Sequence, residues 1–233
     1  MSINKENAIQ DILSRFEDMA NTILRQLDLI EEVMSQGETE VPANIAKEIA
    51  SNEKKINKLD VKIGEKIVNT IVLQKPVASD LRQMMAIYQM VGDLERIGDL
   101  VTNIAGSIPK IKDEAVFERL SDVISNMLIS SVNMVRKSIL SFINNDKEYA
   151  IWTIKNDAVI DELNHKLIKK TVKKSKLPKE TQDMLLSFIN INSIISNIER
   201  IADHATNVAE ASIYSLEGTD IRHKQIDLDG DDL

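Results

Sequence analysis

Glu95 and Asp99 stand four residues apart in the run DLERIGD, and Glu199 and Asp203 stand four apart in NIERIAD. On a helix, residues at i and i+4 share one face, so each pair places two carboxylates side by side. Asn103 continues the first row with Thr102 beside it, and Asn207 continues the second. A matching row precedes each: Glu53, Asn57 and Asp60 at i, i+4, i+7, and Asp157, Asp161 and Asn164 at the same spacing. Two carboxylates about 4 Å apart repel by roughly 4 kcal/mol at an effective dielectric near 20. Protonation, arginine pairing, water or a cation has to offset that cost. Carboxylates and amides without thiolates suit hard cations: magnesium, manganese, calcium or iron. His204, next to Asp203, is a candidate peripheral ligand, although a histidine so placed is more often an exposed polar residue.

Helices have to position these rows. The stripe Ile12, Leu13, Phe16, Met19, Ile23, Leu27, Ile30, Met34 has a period near 3.6 and stops at Ser35-Gln36-Gly37. Similar stretches predict helices near 5–35, 43–74, 78–108, 113–144, 147–175 and 179–216. Shifting the chain by 104 residues lays 52–106 on 156–210 without a gap, with 17 identities in 55 positions. Seven of them fall between Glu95 and Ala105 and include Glu, Arg, Asp, Thr and Asn. Shared apolar spacing does not produce polar identities in register, so the expectation is two tandem three-helix units, 1–110 and 111–216. Pro76 marks the bend of the first hairpin, with Glu53 and Asp99 each 23 residues from it. Asp157 and Asp203 are each 23 from Glu180. At about 1.5 Å rise per residue, the facing rows of each hairpin arrive at one level, roughly 35 Å from the bend.

The composition agrees with an all-α chain. Hydrophobic residues make up 43% and charged residues 28%, while aromatics are only 3% and glycines number 7, which disfavours sandwiches and barrels. Without a cysteine there are no disulfides, thiolate zinc sites or cysteine nucleophiles. A net charge of −8 argues against nucleic acid as a partner. No signal-peptide core or membrane-spanning run is evident, so the expected location is cytoplasmic. The segment 217–233 holds six acids and two basic residues and is expected to be a disordered acidic tail. Its Asp227, Asp229 and Asp231 do not match a calcium loop, whose glycine and final Glu are missing. A lysine run from Lys166 to Lys179 is ordinarily a solvated helix end, with anionic lipid or an acidic partner as the other reading.

At these residues the chain resembles the PhoU family of bacterial phosphate-signalling regulators. The resemblance rests on Lys75-Pro76-Val77-Ala78-Ser79-Asp80-Leu81-Arg82, on Asp93 to Asp99, and on Ile198 to Asn207. It covers about 1–216 and implies two tandem three-helix bundles related by an internal repeat. Some members bind metal clusters through E(D)xxxD motifs, which correspond here to Glu95/Asp99, Glu199/Asp203 and Asp157/Asp161. The fourth departs, since Asn57 follows Glu53, and Asp60 one turn later is the substitute. The implied cofactor is a divalent or multinuclear metal: iron, manganese, magnesium or zinc.

The resemblance also implies an adaptor rather than an enzyme. Such a protein would restrain phosphate uptake and phosphate-responsive signalling by linking the ATPase subunit of a phosphate ABC transporter to a sensor histidine kinase. It would reach the membrane only through partners and form a homodimer. Asp80 and Arg82 are secondary candidates for a partner surface. Two alternatives stay open. A ferritin-like di-metal enzyme needs Glu-x-x-His on two helices, and only Glu162 to His165 supplies it. A purely structural helical scaffold would tolerate Gln in place of the acids. Nucleotide hydrolysis and serine-triad chemistry lack their motifs.

Overall fold

The computed structural model describes residues 3–157 and 182–222. Every element among them is helical. α1 spans Ile3–Ser35, α2 Ala43–Gln74 and α3 Ser79–Ser107, followed by a 3-10 turn, Ile108–Lys110. α4 spans Glu114–Ile143, α5 is helical over 147–157, and α6 spans Gln182–Glu217. Asp161, Glu162, Asn164, His165, the lysine run, Glu180 and the tail from 223 lie outside the described residues.

The helix boundaries follow from local chemistry. α1 ends where Gly37 takes the left-handed conformation at φ +68° and its N–H closes on Met34 O. Lys75 and Ala78 adopt positive φ on either side of Pro76, turning the chain between α2 and α3. Asn145 is left-handed, and the next residue, Asp146, accepts from the N–H groups of Glu148 (2.9 Å) and Tyr149 (3.3 Å), capping α5. Ser187 of α6 accepts from the N–H groups of Lys112 and Asp113, both at 2.9 Å, and so fixes the linker that enters α4.

α1, α2 and α3 pack on one another, α4 packs on α6, and the two units join along α1–α4 and α3–α6. One hydrophobic core runs through all five of these helices. The α1 stripe from Ile12 to Met34 forms its spine, with Phe16 fully buried and edge-on to Phe142 of α4 at 5.2 Å between ring centres. Buried hydroxyls on α4 donate to carbonyls one turn back, as Ser131 does to Met127 and Ser138 to Val135. No helix among the described residues is long and apolar enough to cross a membrane.

α3 and α6 are antiparallel. Asn190 reaches Lys110 O at one end, Asp93 meets His204 and Asn207 near the middle, and Arg82 lies against Gly218 at the other end. This register runs the DLERIGD and NIERIAD motifs in opposite directions and sets Asp93, at the start of the first, opposite His204 and Asn207, just past the end of the second.

Candidate functional site

In the first repeat the hairpin brings Glu53 of α2 close enough to Asp99 of α3 for each carboxylate to feel the other's charge. Thr102 donates to Glu53 Oε2 at 3.4 Å, and Gln26 of α1 donates to Gly98 O at 3.2 Å and to Thr102 Oγ1 at 3.3 Å. Gln26 is fully buried. It anchors Thr102, which in turn holds Glu53. Gly98 makes room for this arrangement, since a Cβ there would lie 3.2 Å from both Glu53 Oε2 and Ile56 Cδ1. Asp60 is half-buried on α2 and close enough to Glu95 for its charge to matter.

Burial pushes the Glu53 carboxyl above its ordinary 4.5, and Asp99 raises it further, while Asn57 and Gln26 offset part of the rise. Burial also raises Asp60 above 3.8. Glu95 is raised mainly by burial, then by the charges of Asp99 and Asp60. Each of these groups binds its proton more tightly folded than unfolded. Their contribution to stability is therefore greatest below the ordinary values and declines as pH climbs through the folded ones. Asp11 works the other way: its hydrogen bonds with Lys66 and Arg15 hold it below 3.8, and that contribution is lost only in more acidic solution. In chelated buffer the protein is expected to melt at higher temperature near about pH 5 than near about pH 7.5, and Glu53→Gln is expected to flatten the difference. Thermal melts across that range check both. An unchanged slope in the variant would remove Glu53 from the account.

In the second repeat Glu199 is half-buried and Asp203 exposed on α6, and Asp157 is half-buried at the end of the described part of α5. Thr206, the counterpart of Thr102, has a buried Oγ1 with no hydrogen-bond partner among the described residues. His204 does not join the acidic row. Its Nδ1 lies 2.8 Å from Asp93 Oδ1, and the Asn207 amide donates to the same oxygen at 3.1 Å. Asp93, on the other repeat, thus receives two polar groups from α6. Arg96 and Arg200 point away from the core and are exposed. Asp80 is tied to Lys5 at 2.6 Å, and Arg82 packs against Gly218, so both serve the chain's own packing.

Among the described residues, no three Asp, Glu or His side chains gather closely enough to hold one metal ion. Glu53 and Glu95 both feel the charge of Asp99, and Glu95 feels that of Asp60 less. This all-oxygen set fits a hard cation that keeps most of its water and is held through one or two carboxylates, and does not fit a fully caged ion. Sequence reasoning missed Gln26 and the Asp93–His204 contact. A polar residue inside the apolar stripe of α1 was the available signal for Gln26. The Asp93 contact depends on how the repeats meet, which no periodicity within one helix records.

The PhoU domain family model matches residues 16–108 and 118–212, once in each repeat. The phosphate-specific transport system accessory protein PhoU homolog of a Burkholderia species is 33% identical over 183 residues, covering 78% of this chain and 77% of that protein. Its namesake from Pseudomonas putida is 29% identical over 228 residues, covering 95% and 88%. The crystal structure of the phosphate transport system regulatory protein PhoU from Streptococcus pneumoniae superposes with a TM-score of 0.79 at 21% identity, over 93% of this chain and 98% of that one. At that identity the superposition shows the fold alone.

Proposed function

The chain belongs to the PhoU family, and from that premise we propose that it is a non-catalytic regulator of phosphate uptake. In this reading it restrains a phosphate ABC transporter through the ATPase subunit and reports to a sensor histidine kinase. The observation that carries it is the paired occurrence of the acidic motif, one copy per repeat, in a chain whose relatives are accessory proteins of phosphate-specific transport.

The carboxylate pairs are the working surface of the proposal. One or two of Glu53, Asp60, Glu95 and Asp99 would hold a divalent cation in the first repeat, and Glu199, Asp203 and Asp157 would do so in the second. Asp161 completes the second set in sequence. A cation bound there would supply positive charge and free coordination positions, suited to an anion or to an acidic partner surface. The chain's part is to fix the acids at one level, to desolvate them partly, and to brace Glu53 through Gln26 and Thr102. A structural polar face is the second reading, favoured by the hydrogen bonds of Thr102 to Glu53 and of Gln26 to Thr102, which position the acid without an ion.

The test is complementation. Expressed in a bacterium lacking its own PhoU-family protein, the chain is expected to restore restraint of phosphate uptake in phosphate-rich medium. Uptake that stays unrestrained, with the protein present and folded, counts against the role.

A further inference from the structure

The described residues leave eleven large apolar side chains exposed, and eight of them lie on the α2–α3 hairpin. The remaining three are scattered singly, which is normal for a soluble surface. On α2, Val61, Val68 and Val72 share one face, and on α3, Leu81, Met85 and Tyr88 recur at i, i+4, i+7. Val68 is 53% exposed and Tyr88 51%, so neither belongs to the chain's own core. Between α2 and α3 runs a groove of about 770 Å³ with Val61, Val68 and Tyr88 in its walls, while Val72, Leu81 and Met85 lie outside its lining. Asp60 and Glu65 also line it, and no lysine or arginine does.

Two mid-helix glycines, Gly64 and Gly92, line the same groove. Each costs its helix about 1 kcal/mol relative to alanine. Neither is required by packing within the chain: a Cβ on Gly92 would meet nothing within 4 Å, and one on Gly64 would touch only Tyr88 at an ordinary 3.6 Å. Their effect is to keep the groove floor low, which permits another backbone to come close.

We propose that this groove docks an amphipathic helix of a partner protein, one that carries Lys or Arg beside its apolar anchors. Its apolar anchors would pack between Val61 and Val68 on one wall and Tyr88 on the other. The flanking cations would reach Asp60 and Glu65. Charge selects this occupant over two others. A second copy docking by the same face would set its acidic groove against an identical one. An anionic lipid surface would face a groove lined by acids, on a chain of net charge −8. The groove lies apart from Glu53 and Asp99 but shares Asp60 with the acids proposed to hold a cation, so the binding measurements are made in chelated buffer.

The experiment uses the full chain and a labelled Leu/Lys amphipathic helical peptide of about five turns, with a Leu/Glu peptide of equal length beside it. Fluorescence anisotropy is expected to detect the Leu/Lys peptide alone. Val68→Ser/Tyr88→Ser is expected to weaken its binding at least about tenfold, and Glu65→Gln about threefold. Gly92→Leu, which adds apolar surface but fills the groove, is expected to weaken it at least about tenfold as well. Glu31→Gln/Glu32→Gln, on α1 away from the groove, is expected to leave binding unchanged. Circular dichroism establishes that every variant is folded. Equal or tighter binding by Gly92→Leu, or equal affinity for the Leu/Glu peptide, would overturn the proposal. So would binding of the chain to phosphatidylcholine/phosphatidylglycerol vesicles that Gly92→Leu abolishes, or a dimer in sedimentation that Gly92→Leu dissociates, because either assigns the groove to another occupant.

Discussion

Phe16→Ala is expected to lower the unfolding free energy by about 3–5 kcal/mol, the usual cost of removing a buried aromatic ring and leaving its cavity. Phe16 has no exposed surface and lies edge-on to Phe142, so its loss also removes an aromatic pair worth about 1 kcal/mol. The pair joins α1 to α4, and the core is continuous across both repeats. A mutation made in one repeat should therefore be felt in the other. At roughly 2–4 °C per kcal/mol for a chain of this size, the melting temperature should fall by about 10 °C in a single transition. Differential scanning calorimetry checks this. A melt that splits in two, with only one half displaced, would mean that the repeats fold independently. A double-mutant cycle with Phe142→Ala should return a coupling energy, since the two rings touch.

The second large effect has opposite signs for stability and for function. Glu53→Gln/Asp99→Asn keeps the shapes of both side chains and removes the charges that repel each other. Asp99 is exposed, so the relief is screened and should raise stability by only about 1 kcal/mol. The same variant should lose restraint of phosphate uptake in cells, because the pair is where the account places the cation. A mutation that stabilises the fold while abolishing the role marks a site held at a cost. Lower stability in cation-free buffer would contradict the electrostatic argument. Intact restraint would detach this pair from function.

Much of the architecture is legible in the sequence because helices report their own faces. The Ile12 to Met34 stripe, the glycine stop at Gly37 and the bend at Pro76 are local signals, and α1 to α4 lie within a residue or two of their expected limits. The level match of Glu53 with Asp99 follows from counting outward from one bend, and the two carboxylates do come within range of each other's charge. Angular detail was harder to read. The rows share a level, yet among the described residues no three acids close on one point: Asp99 is exposed, while Glu53 is held toward Gln26 and Thr102 by hydrogen bonds. His204 looked like a possible ligand because of Asp203 beside it in sequence. The antiparallel packing of α3 on α6 gives it Asp93 instead.

The most direct test of the central claim is metal content by mass spectrometry, on protein purified without chelator. The comparison is the wild type against Glu95→Ala/Asp99→Ala/Glu199→Ala/Asp203→Ala, with both shown to be folded. The wild type is expected to retain a divalent metal that the variant loses. Metal-free wild type, or a variant that retains as much, would contradict it, leaving the acids a structural polar face and regulation to surface contacts alone.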